Sequence, residues 1–345
     1  MVISDQTLIT IQKLITDSKT TNRTWLITGV AGFIGSNLLE CLLLCGEKVI
    51  GIDDLSTGST TNLDEVNELV GGKLWSNFEF VNGDIRNKDL LENLLKNVTF
   101  VLHQAALGSV PRSIKDPITT NDVNITGFLN LLSSAVENKE IRIVYAASSS
   151  TYGDHKSHPK VESQIGQPLS PYAITKLVNE IYAQNFNKLF GLKITGLRYF
   201  NVFGPRQDPE GAYAAVIPKW IYSTLKTQSV EINGDGQTSR DFCFVENVVQ
   251  ANIRAALNIP SDHQVYNVAC GASTSLNQLL MYIQKYCNLK KYTNASIDPI
   301  YKDFRLGDVK HSLASLDKIK SRLKYDPKFS LEDGLRLTID YFYGK

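Results

Sequence analysis

Residues 28–35 of the chain read TGVAGFIG, and they stand between the apolar run 25–27 and a helical pattern at 34–45. Glycines spaced three apart allow a tight turn in which the backbone approaches a pyrophosphate, and they aim the following helix N-terminus at that anion. A strand-to-helix turn that binds no ligand has the same pattern. The stretch therefore predicts a strand, a turn and a helix, with a dinucleotide site as one of two interpretations.

The second apolar run favours the dinucleotide interpretation. Residues 49–52 predict a buried strand, and Asp53 and Asp54 follow it directly. An acidic side chain at this strand end can accept hydrogen bonds from the hydroxyls of an adenosine ribose. Because a carboxylate there repels a 2′-phosphate, the sequence favours NAD over NADP as the cofactor.

Strand and helix patterns alternate through most of the chain. Further strands are predicted at 78–81, 99–102, 141–146 and 194–197, and helices at 5–18, 89–97, 121–138 and 171–190. This alternation predicts an α/β fold, a Rossmann doubly wound parallel sheet with a smaller mixed α/β C-terminal substrate lobe. The expected domains are an N-terminal helical extension (1–22), a NAD-binding Rossmann domain (23–198 plus about 238–269) and a substrate-binding domain (199–237 plus 270–345).

The composition is that of an ordinary globular protein. Of the 345 residues, 43% are hydrophobic and 21% charged, which excludes disorder or a coiled coil for the whole chain. The 36 basic and 35 acidic residues leave a net charge of +1, so no nucleic-acid partner is expected. The cysteines form no CxxC pair, which predicts reduced thiols in the cytoplasm and no metal site. Neither a signal peptide nor a membrane-spanning stretch is recognised.

Tyr172 and Lys176 lie four residues apart in the predicted helix 171–190, and therefore on one face of it. The pKa of a tyrosine is ordinarily about 10, and a neighbouring ammonium together with the positive nicotinamide of NAD would lower it. The pair then predicts a general base for a substrate hydroxyl. A solvated helix face has the same spacing, and the serine run Ser148, Ser149 and Ser150 at a predicted strand end also suits an ordinary loop.

Together these motifs resemble the extended short-chain dehydrogenase/reductase family. Residues 28–35 match its TGxxGFIG signature, and Tyr172 and Lys176 with the upstream serines match its catalytic set. Three longer strings, HQAALGSVPRS at 103–113, SSSTYGDH at 148–155 and RYFNVFG at 198–204, are similar to nucleotide-sugar 4-epimerases. The similarity is greatest to the bacterial UDP-N-acetylglucosamine 4-epimerases of surface-polysaccharide (O-antigen) biosynthesis.

The resemblance implies which residues form a NAD site and a nucleotide-sugar site. The implied NAD-binding residues are Gly29, Gly32, Phe33, Ile34, Asp53, Asp54, Ser56, Gly58, Asp84, Ile85, Gln104, Ala105, Ala106, Tyr172, Lys176 and Tyr199. The implied catalytic residues are Ser148, Tyr172 and Lys176. The implied substrate-binding residues are Ser109, Ser148, Ser149, Ser150, Asn201, Val216, Lys219, Arg240, Arg305, Asp308 and Ser312.

Some of these residues have a more specific implied role. Arg240 and Arg305 would clamp the diphosphate, and Asp308 would bind the uridine ribose. Ser312 falls at the gate position of the family, where a tyrosine would crowd a 2-N-acetyl group and a serine leaves room. Two positions depart from the family, because Asp54 and Glu231 stand where relatives often have asparagine and an aromatic residue.

The implied activity is the interconversion of UDP-N-acetylglucosamine and UDP-N-acetylgalactosamine through a 4-keto sugar, with tightly bound NAD regenerated in each turnover. Tyr172 would take the proton of the 4′-hydroxyl. A 4-epimerase of a UDP-N-acetylhexosaminuronic acid remains an alternative, because the motifs do not separate a hydroxymethyl group from a carboxylate at carbon 6.

The same resemblance bears on two alternative functions and on the assembly of the protein. A 4,6-dehydratase is disfavoured because Ser149 and Ser150 replace the acidic pair of those enzymes. A non-catalytic NAD-binding scaffold is disfavoured because Tyr172 and Lys176 are both present. Close relatives form homodimers, and the apolar faces of 121–136 and 171–190 are compatible with the same assembly.

Overall fold

The computed structural model describes residues 2–21, 23–211, 214–293, 297–304 and 310–345. Its strands are, in chain order, β1 (Thr24–Thr28), β2 (Lys48–Asp53), β3 (Phe78–Asn82), β4 (Phe100–His103), β5 (Arg142–Ser148), β6 (Lys193–Tyr199), β7 (Val202–Phe203), β8 (Glu231–Asn233), β9 (Ser239–Arg240), β10 (Cys243–Phe244), β11 (Gln264–Val268), β12 (Thr274–Ser275) and β13 (Ile300–Lys302).

The helices cover the sheet and build the C-terminal part. They are α1 (Asp5–Asp17), α2 (Phe33–Leu44), α3 (Thr60–Val70), α4 (Gly72–Trp75), α5 (Lys88–Leu94), α6 (Val110–Lys115), α7 (Pro117–Asn121), α8 (Gly127–Ala135), α9 (Pro171–Phe190), α10 (Val216–Leu225), α11 (Val245–Leu257), α12 (Leu276–Leu289), α13 (Asp317–Leu323) and α14 (Leu331–Tyr343). Within the described part of the chain, no helix combines the length and the apolar character needed to cross a bilayer.

Strands β1 to β6 and β11 form one sheet in the order β11-β6-β5-β4-β1-β2-β3, and each neighbouring pair is parallel. The chain runs outward from β1 through β2 and β3, and then crosses to β4 on the other side of β1. Because the direction reverses there, the carboxyl ends of β1 and β4 border a crevice, where sheets of this kind bind ligands. The predicted α/β Rossmann fold is confirmed.

Apolar side chains from the helices bury both faces of the sheet. Helices α2, α3 and α11 pack on one face, in a cluster that includes Leu38. Helices α5, α8 and α9 pack on the other face around Phe128. A third cluster, around Trp220, joins α10, α12 and α14 beyond the sheet. Burial on both faces explains why the central strands read as continuous apolar runs in the sequence.

The predicted N-terminal helix is present as α1, which lies against α11. Its apolar residues Leu8, Ile11 and Ile15 are buried in the same cluster as Leu38. The backbone N–H groups of Val2 and Ile3 donate to Glu40 Oε1 on α2, at 2.9 and 3.0 Å. The segment is therefore part of the packed structure.

The predicted helix 121–138 is wrong as one continuous α-helix. The chain forms α7 up to Asn121, a π-helical turn over Asp122–Thr126 and then α8. The sequence prediction also omits α3, although its signals are present. Ser59 caps the N-terminus of α3 by accepting from the Thr61 N–H, and Leu63 and Val66 are buried at helical spacing.

Candidate active site

A cavity of about 390 Å³ opens at the carboxyl ends of β1, β2, β4 and β5. The sequence-predicted residues that line it are Gly29, Gly32, Phe33, Ile34, Asp53, Asp54, Ser56, Gly58, Ile85, Gln104, Ala105, Ala106, Ser148, Tyr172, Lys176, Tyr199 and Asn201. Asp84 lies outside this lining, and its carboxylate accepts hydrogen bonds from the Arg86 guanidinium at 2.5 to 3.1 Å. We refer to this space as the cofactor cavity.

The glycine turn leaves no room for side chains beside the cavity. Gly29 has φ +71°, and a Cβ there would lie 2.8 Å from the Ala105 nitrogen. A Cβ on Gly35 would lie 2.0 Å from the Gly29 oxygen, so α2 could not pack against the turn. Gly32 caps α2 with no side-chain hydrogen bond, which leaves the N–H groups of the first helical turn for an anion. These features fit the pyrophosphate of a dinucleotide.

Asp53 ends β2 with its carboxylate at the cavity wall. The carboxylate accepts hydrogen bonds from the backbone N–H groups of Ala31 and Leu55, both at 2.9 Å. Burial raises the pKa of Asp53, and these two hydrogen bonds oppose that rise. Asp54 has a local function instead, because its carboxylate binds the N–H and hydroxyl of Ser56 at 2.9 and 2.6 Å.

Lys176 is buried at the base of the cofactor cavity, where it joins two elements of the fold. Its ammonium donates to the Ala146 oxygen of β5 at 2.8 Å, and it lies 5.9 Å from the centre of the Tyr172 ring. Burial lowers the pKa of Lys176 to about 8. Helix α9 begins with a Ser170 cap and Pro171, so both side chains leave the first two turns of a well-defined helix.

Tyr172 and Ser148 both line the cofactor cavity. Burial raises the pKa of Tyr172 and the nearby Ser148 hydroxyl lowers it, with burial the larger effect. The lowered pKa expected from the sequence includes the effect of bound NAD and stays a prediction, because in the chain without NAD the desolvation of the phenolate is the larger effect.

The three serines at the carboxyl end of β5 differ in their positions. Ser148 lines the cofactor cavity, and its oxygen accepts from the N–H and the hydroxyl of Ser150 at 3.1 and 2.9 Å. Ser149 and Ser150 begin the 3₁₀ turn Ser149–Tyr152 and lie outside the linings of both cavities described here. Ser150 thus orients Ser148.

A second, larger cavity of about 1050 Å³ adjoins the first, and Asn201 and Val202 line both. The sequence-predicted residues in its lining are Ser109, Asn201, Val216, Lys219 and Arg240. Lys219 and Arg240 are the cations of this described lining, and Glu210 and Glu231 are its acids. We refer to this space as the substrate cavity.

The remaining predicted substrate residues are Ser312, Arg305, Asp308 and Asn201. Ser312 is half-buried beside the substrate cavity, where its N–H donates to the Ser239 oxygen at 3.1 Å, next to Arg240. Arg305 and Asp308 lie outside the described residues. Asn201 is held by a hydrogen bond from its amide to the Asp241 oxygen at 3.1 Å, and it adopts φ 36°.

Two polar residues that support the site, His103 and Asn124, have no role in the sequence prediction. His103 at the end of β4 shares a hydrogen bond with Thr28 at 2.8 Å, and burial, with a smaller effect of Lys176, lowers its pKa to about 3. Asn124 in the π turn accepts from the Leu107 N–H at 2.7 Å and donates to the Thr175 hydroxyl at 3.1 Å. The position of His103 after an apolar run is a usable signal, whereas Asn124 has none.

Known proteins are similar to this chain over nearly its whole length. The sequence model of the NAD dependent epimerase/dehydratase family matches residues 25–269. The UDP-glucose 4-epimerase of Mycolicibacterium smegmatis is 34% identical over 322 residues, which cover 93% of this chain and 98% of that protein.

Two solved structures are similar in both fold and sequence. The UDP-N-acetylglucosamine 4-epimerase of Methanobrevibacter ruminantium, in complex with UDP-N-acetylmuramic acid, has a TM-score of 0.85 and 37% identity, covering 94% of this chain and 99% of that one. The UDP-glucuronic acid 4-epimerase of Bacillus cereus, in complex with UDP-glucuronic acid and NAD, has a TM-score of 0.84 and 31% identity, covering 93% and 99%. The predicted membership of the extended short-chain dehydrogenase/reductase family is confirmed. The chain therefore belongs to the NAD dependent epimerase/dehydratase family and, within it, to the NAD-dependent UDP-sugar 4-epimerases, which are isomerases.

Proposed function

We propose that this 4-epimerase interconverts UDP-N-acetylglucosamine and UDP-N-acetylgalactosamine. The observation that carries the proposal is the charge of the two cavities. Their described linings contain three cations, Lys176, Lys219 and Arg240. If Lys219 and Arg240 bind the diphosphate and Lys176 stays beside Tyr172, none of the three remains for a carboxylate at carbon 6. A neutral sugar then fits better than a uronic acid, whose buried carboxylate needs a partner.

The proton at oxygen 4 is handled by Tyr172 and Ser148 in this proposal. Bound NAD accepts and returns the hydrogen of carbon 4 as a hydride, and its positive ring favours the Tyr172 phenolate. Tyr172 takes the hydroxyl proton and later returns it, while Ser148 holds the same oxygen by a hydrogen bond. Lys176 can donate more hydrogen bonds than the one to Ala146, and its charge also favours the phenolate.

The diphosphate and nucleoside are assigned to the substrate cavity. Guanidinium and ammonium groups suit phosphate oxygens, which fits Arg240 and Lys219. Asn201 lines both cavities and would meet the diphosphate where the two spaces join. The proposed roles of Arg305 and Asp308 rest on the sequence resemblance alone. In this division, the Rossmann part holds NAD and the C-terminal part holds the nucleotide.

The N-acetyl preference is assigned to the space at Ser312. The Ser312 N–H donates to the Ser239 oxygen, and Arg240 is the next residue after Ser239. The small Ser312 side chain therefore lies close to Arg240. A hydroxymethyl side chain there leaves room for a 2-N-acetyl group, whereas a phenol would fill that room. Size exclusion of this kind separates substrates that differ by a few atoms.

The working form is proposed to be a homodimer in the cytoplasm. Helices α7 and α9 pack together and carry exposed apolar side chains, including Ile118, Ile174, Ile181 and Leu189. Exposed apolar surface of this extent is typical of an interface, and a second copy would cover it. The five cysteines are free thiols, which fits a reducing compartment. A place in surface-polysaccharide synthesis rests on the sequence resemblance.

The test compares kcat/KM for UDP-N-acetylglucosamine, UDP-glucose and UDP-N-acetylglucosaminuronic acid with one preparation of the protein. The proposal expects the highest value for UDP-N-acetylglucosamine. A higher value for the uronic acid would replace the proposed substrate, and its carboxylate would then need a partner outside the described linings of the two cavities.

A further inference from the structure

Three side chains at the wall of the cofactor cavity form a closed ring of hydrogen bonds. The Asn252 amide donates to the Tyr199 hydroxyl at 2.8 Å, and that hydroxyl lies within donating distance of two acceptors, Gln104 Oε1 at 3.1 Å and Asn252 Oδ1 at 3.0 Å. The Gln104 amide donates back to Asn252 Oδ1 at 3.2 Å. When the Tyr199 hydroxyl donates to Gln104 Oε1 the ring is closed, and the Gln104 amide is then held by both of its neighbours.

The ring spans the strand that carries the catalytic serine. Gln104 follows β4 and Tyr199 ends β6, and β5, which ends at Ser148, lies between these two strands in the sheet. Gln104 and Tyr199 both line the cofactor cavity, together with Ala146 and Ser148. Gln104 and Tyr199 thus contribute to the wall of the same cavity that Ser148 and Tyr172 line.

Asn252 itself lies behind this wall. It is fully buried on α11 and is absent from the linings of both cavities. Its amide also donates to the Val248 oxygen of its own helix, at 2.8 Å. The side chain is therefore anchored to α11, and through its two contacts in the ring it connects that helix to Gln104 and Tyr199.

We propose that Asn252 is a positioning residue which holds Gln104 and Tyr199 in place against the nicotinamide end of bound NAD. The proposal rests on the reaction proposed above, because inversion at carbon 4 requires the keto sugar to present its opposite face to a cofactor that stays in place. A wall that shifts would let the cofactor move between the two hydride transfers. The second transfer would then fail more often, and the keto sugar would leave behind a reduced cofactor.

The expected effect of removing Asn252 follows from the chemistry of the ring. In Asn252→Leu the Tyr199 hydroxyl loses a donor, and the Gln104 amide loses its acceptor inside a closed cavity wall. A buried polar group without a partner reorients or admits water, because leaving it unsatisfied is costly. Gln104 is then free to turn its amide away from the orientation that the ring imposes.

Asn247→Leu is the matched control for this variant. Asn247 lies on the same helix and is equally buried, and its side chain makes hydrogen bonds of the same kind, to Phe329 and Lys328. Those contacts face the C-terminal segment and not the cofactor cavity. Both substitutions remove a buried amide from α11, so both should lower the thermal unfolding temperature.

The experiment measures the exchange of bound NAD for labelled NAD and the build-up of bound NADH during turnover. We expect Asn252→Leu to exchange NAD about tenfold faster than Asn247→Leu, the factor that corresponds to one lost hydrogen bond. It should also accumulate NADH, seen as near-ultraviolet absorbance, at a lower kcat and little changed KM. Tyr199→Phe, which keeps the ring packing and removes the hydroxyl, should show the same NADH signature if Asn252→Leu fails to fold.

Equal NAD exchange and equal NADH build-up in Asn252→Leu and Asn247→Leu, at similar loss of thermal stability, would overturn the proposal. Equal NAD exchange and equal NADH build-up in Tyr199→Phe and the wild type would also overturn the proposal. NAD exchange is measured without any sugar, so this outcome is independent of which UDP-sugar proves to be the substrate.

Discussion

The Lys176 ammonium donates a hydrogen bond to the Ala146 oxygen at 2.8 Å, and this bond joins helix α9 to strand β5. Ala146 lies two residues before Ser148 on the strand, and Tyr172 lies one helical turn before Lys176. The bond therefore sets Tyr172 and Ser148 at a fixed separation. It also places a cation in a fully buried position, where the charged form is penalised.

We expect Lys176→Met to abolish epimerisation and to stabilise the cofactor-free protein at pH 7 by about 2 kcal/mol, because burial of the ammonium costs more than its hydrogen bond returns. The pKa of Lys176 is about 8 in the folded protein, below its ordinary value. The free-energy cost of burying the charged ammonium is fully present below about pH 8. Above pH 8 the folded form loses its proton first, so the wild type gains stability with rising pH and the difference shrinks.

The measurement is denaturant unfolding of both proteins, freed of NAD, at pH 7 and near pH 10. Lys188→Met, at an exposed position on the same helix, is the control and should leave stability nearly unchanged at both values. A stability difference between Lys176→Met and the wild type that grows from pH 7 to pH 10 would contradict the argument.

Tyr172→Phe should lower kcat by about a thousandfold while the protein keeps its NAD, because the substitution removes a general base and little else. Turnover is followed by the appearance of the 4-epimer, and NAD content by absorbance after denaturation of the gel-filtered protein. Tyr182→Phe, a half-buried tyrosine on the same helix, should keep normal activity. Residual activity of Tyr172→Phe above a few per cent of wild type would show that another group takes the proton.

Ser312→Tyr should lower kcat/KM for UDP-N-acetylglucosamine by about a hundredfold relative to UDP-glucose, because the phenol occupies the space assigned to the N-acetyl group. The two rates are measured side by side with each variant. Ser312→Ala keeps the space open and should preserve the wild-type ratio. If the tyrosine variant also preserves that ratio, the N-acetyl group lies elsewhere.

Ile181→Asp should convert the proposed dimer to a monomer, because it places a carboxylate in the apolar face of α9. Ile181 is 58% exposed in the single chain, and Met281 on α12 is 56% exposed. Met281→Asp is therefore a control of similar exposure outside the proposed interface. Light scattering gives the mass of each variant, and a wild-type protein that is already monomeric would remove the dimer from the account.

The parts of the fold predicted from sequence are those that local patterns determine. The turn at 28–35 needs glycines because side chains would not fit, and Asp53 places a carboxylate at the next strand end, all within one strand-helix-strand unit. Helix α9 has its own N-terminal cap and its own helical spacing of apolar residues. Asn252, to which the sequence assigns no role, is held by a distant partner. It lies 148 positions from Gln104, and their contact depends on how α11 packs against the sheet.

The buried ion pair of Arg206 and Glu40 was beyond the sequence for the same reason. These residues lie 166 positions apart, and their bond at 2.5 Å joins the loop after β7 to helix α2. No local pattern in the sequence distinguishes such an arginine from one at the surface. The π turn at Asp122–Thr126 also follows from tertiary contacts, because Asn124 there binds Leu107 and Thr175.

The central claim is that this chain epimerises UDP-N-acetylhexosamines at carbon 4 with NAD that it already holds. The most direct measurement is proton NMR of UDP-N-acetylglucosamine mixed with purified protein in deuterated water, without added NAD. The account predicts that UDP-N-acetylgalactosamine appears with its original hydrogen on carbon 4, because the same hydrogen leaves and returns. Failure to form that product, or its formation with deuterium at carbon 4, would contradict the account.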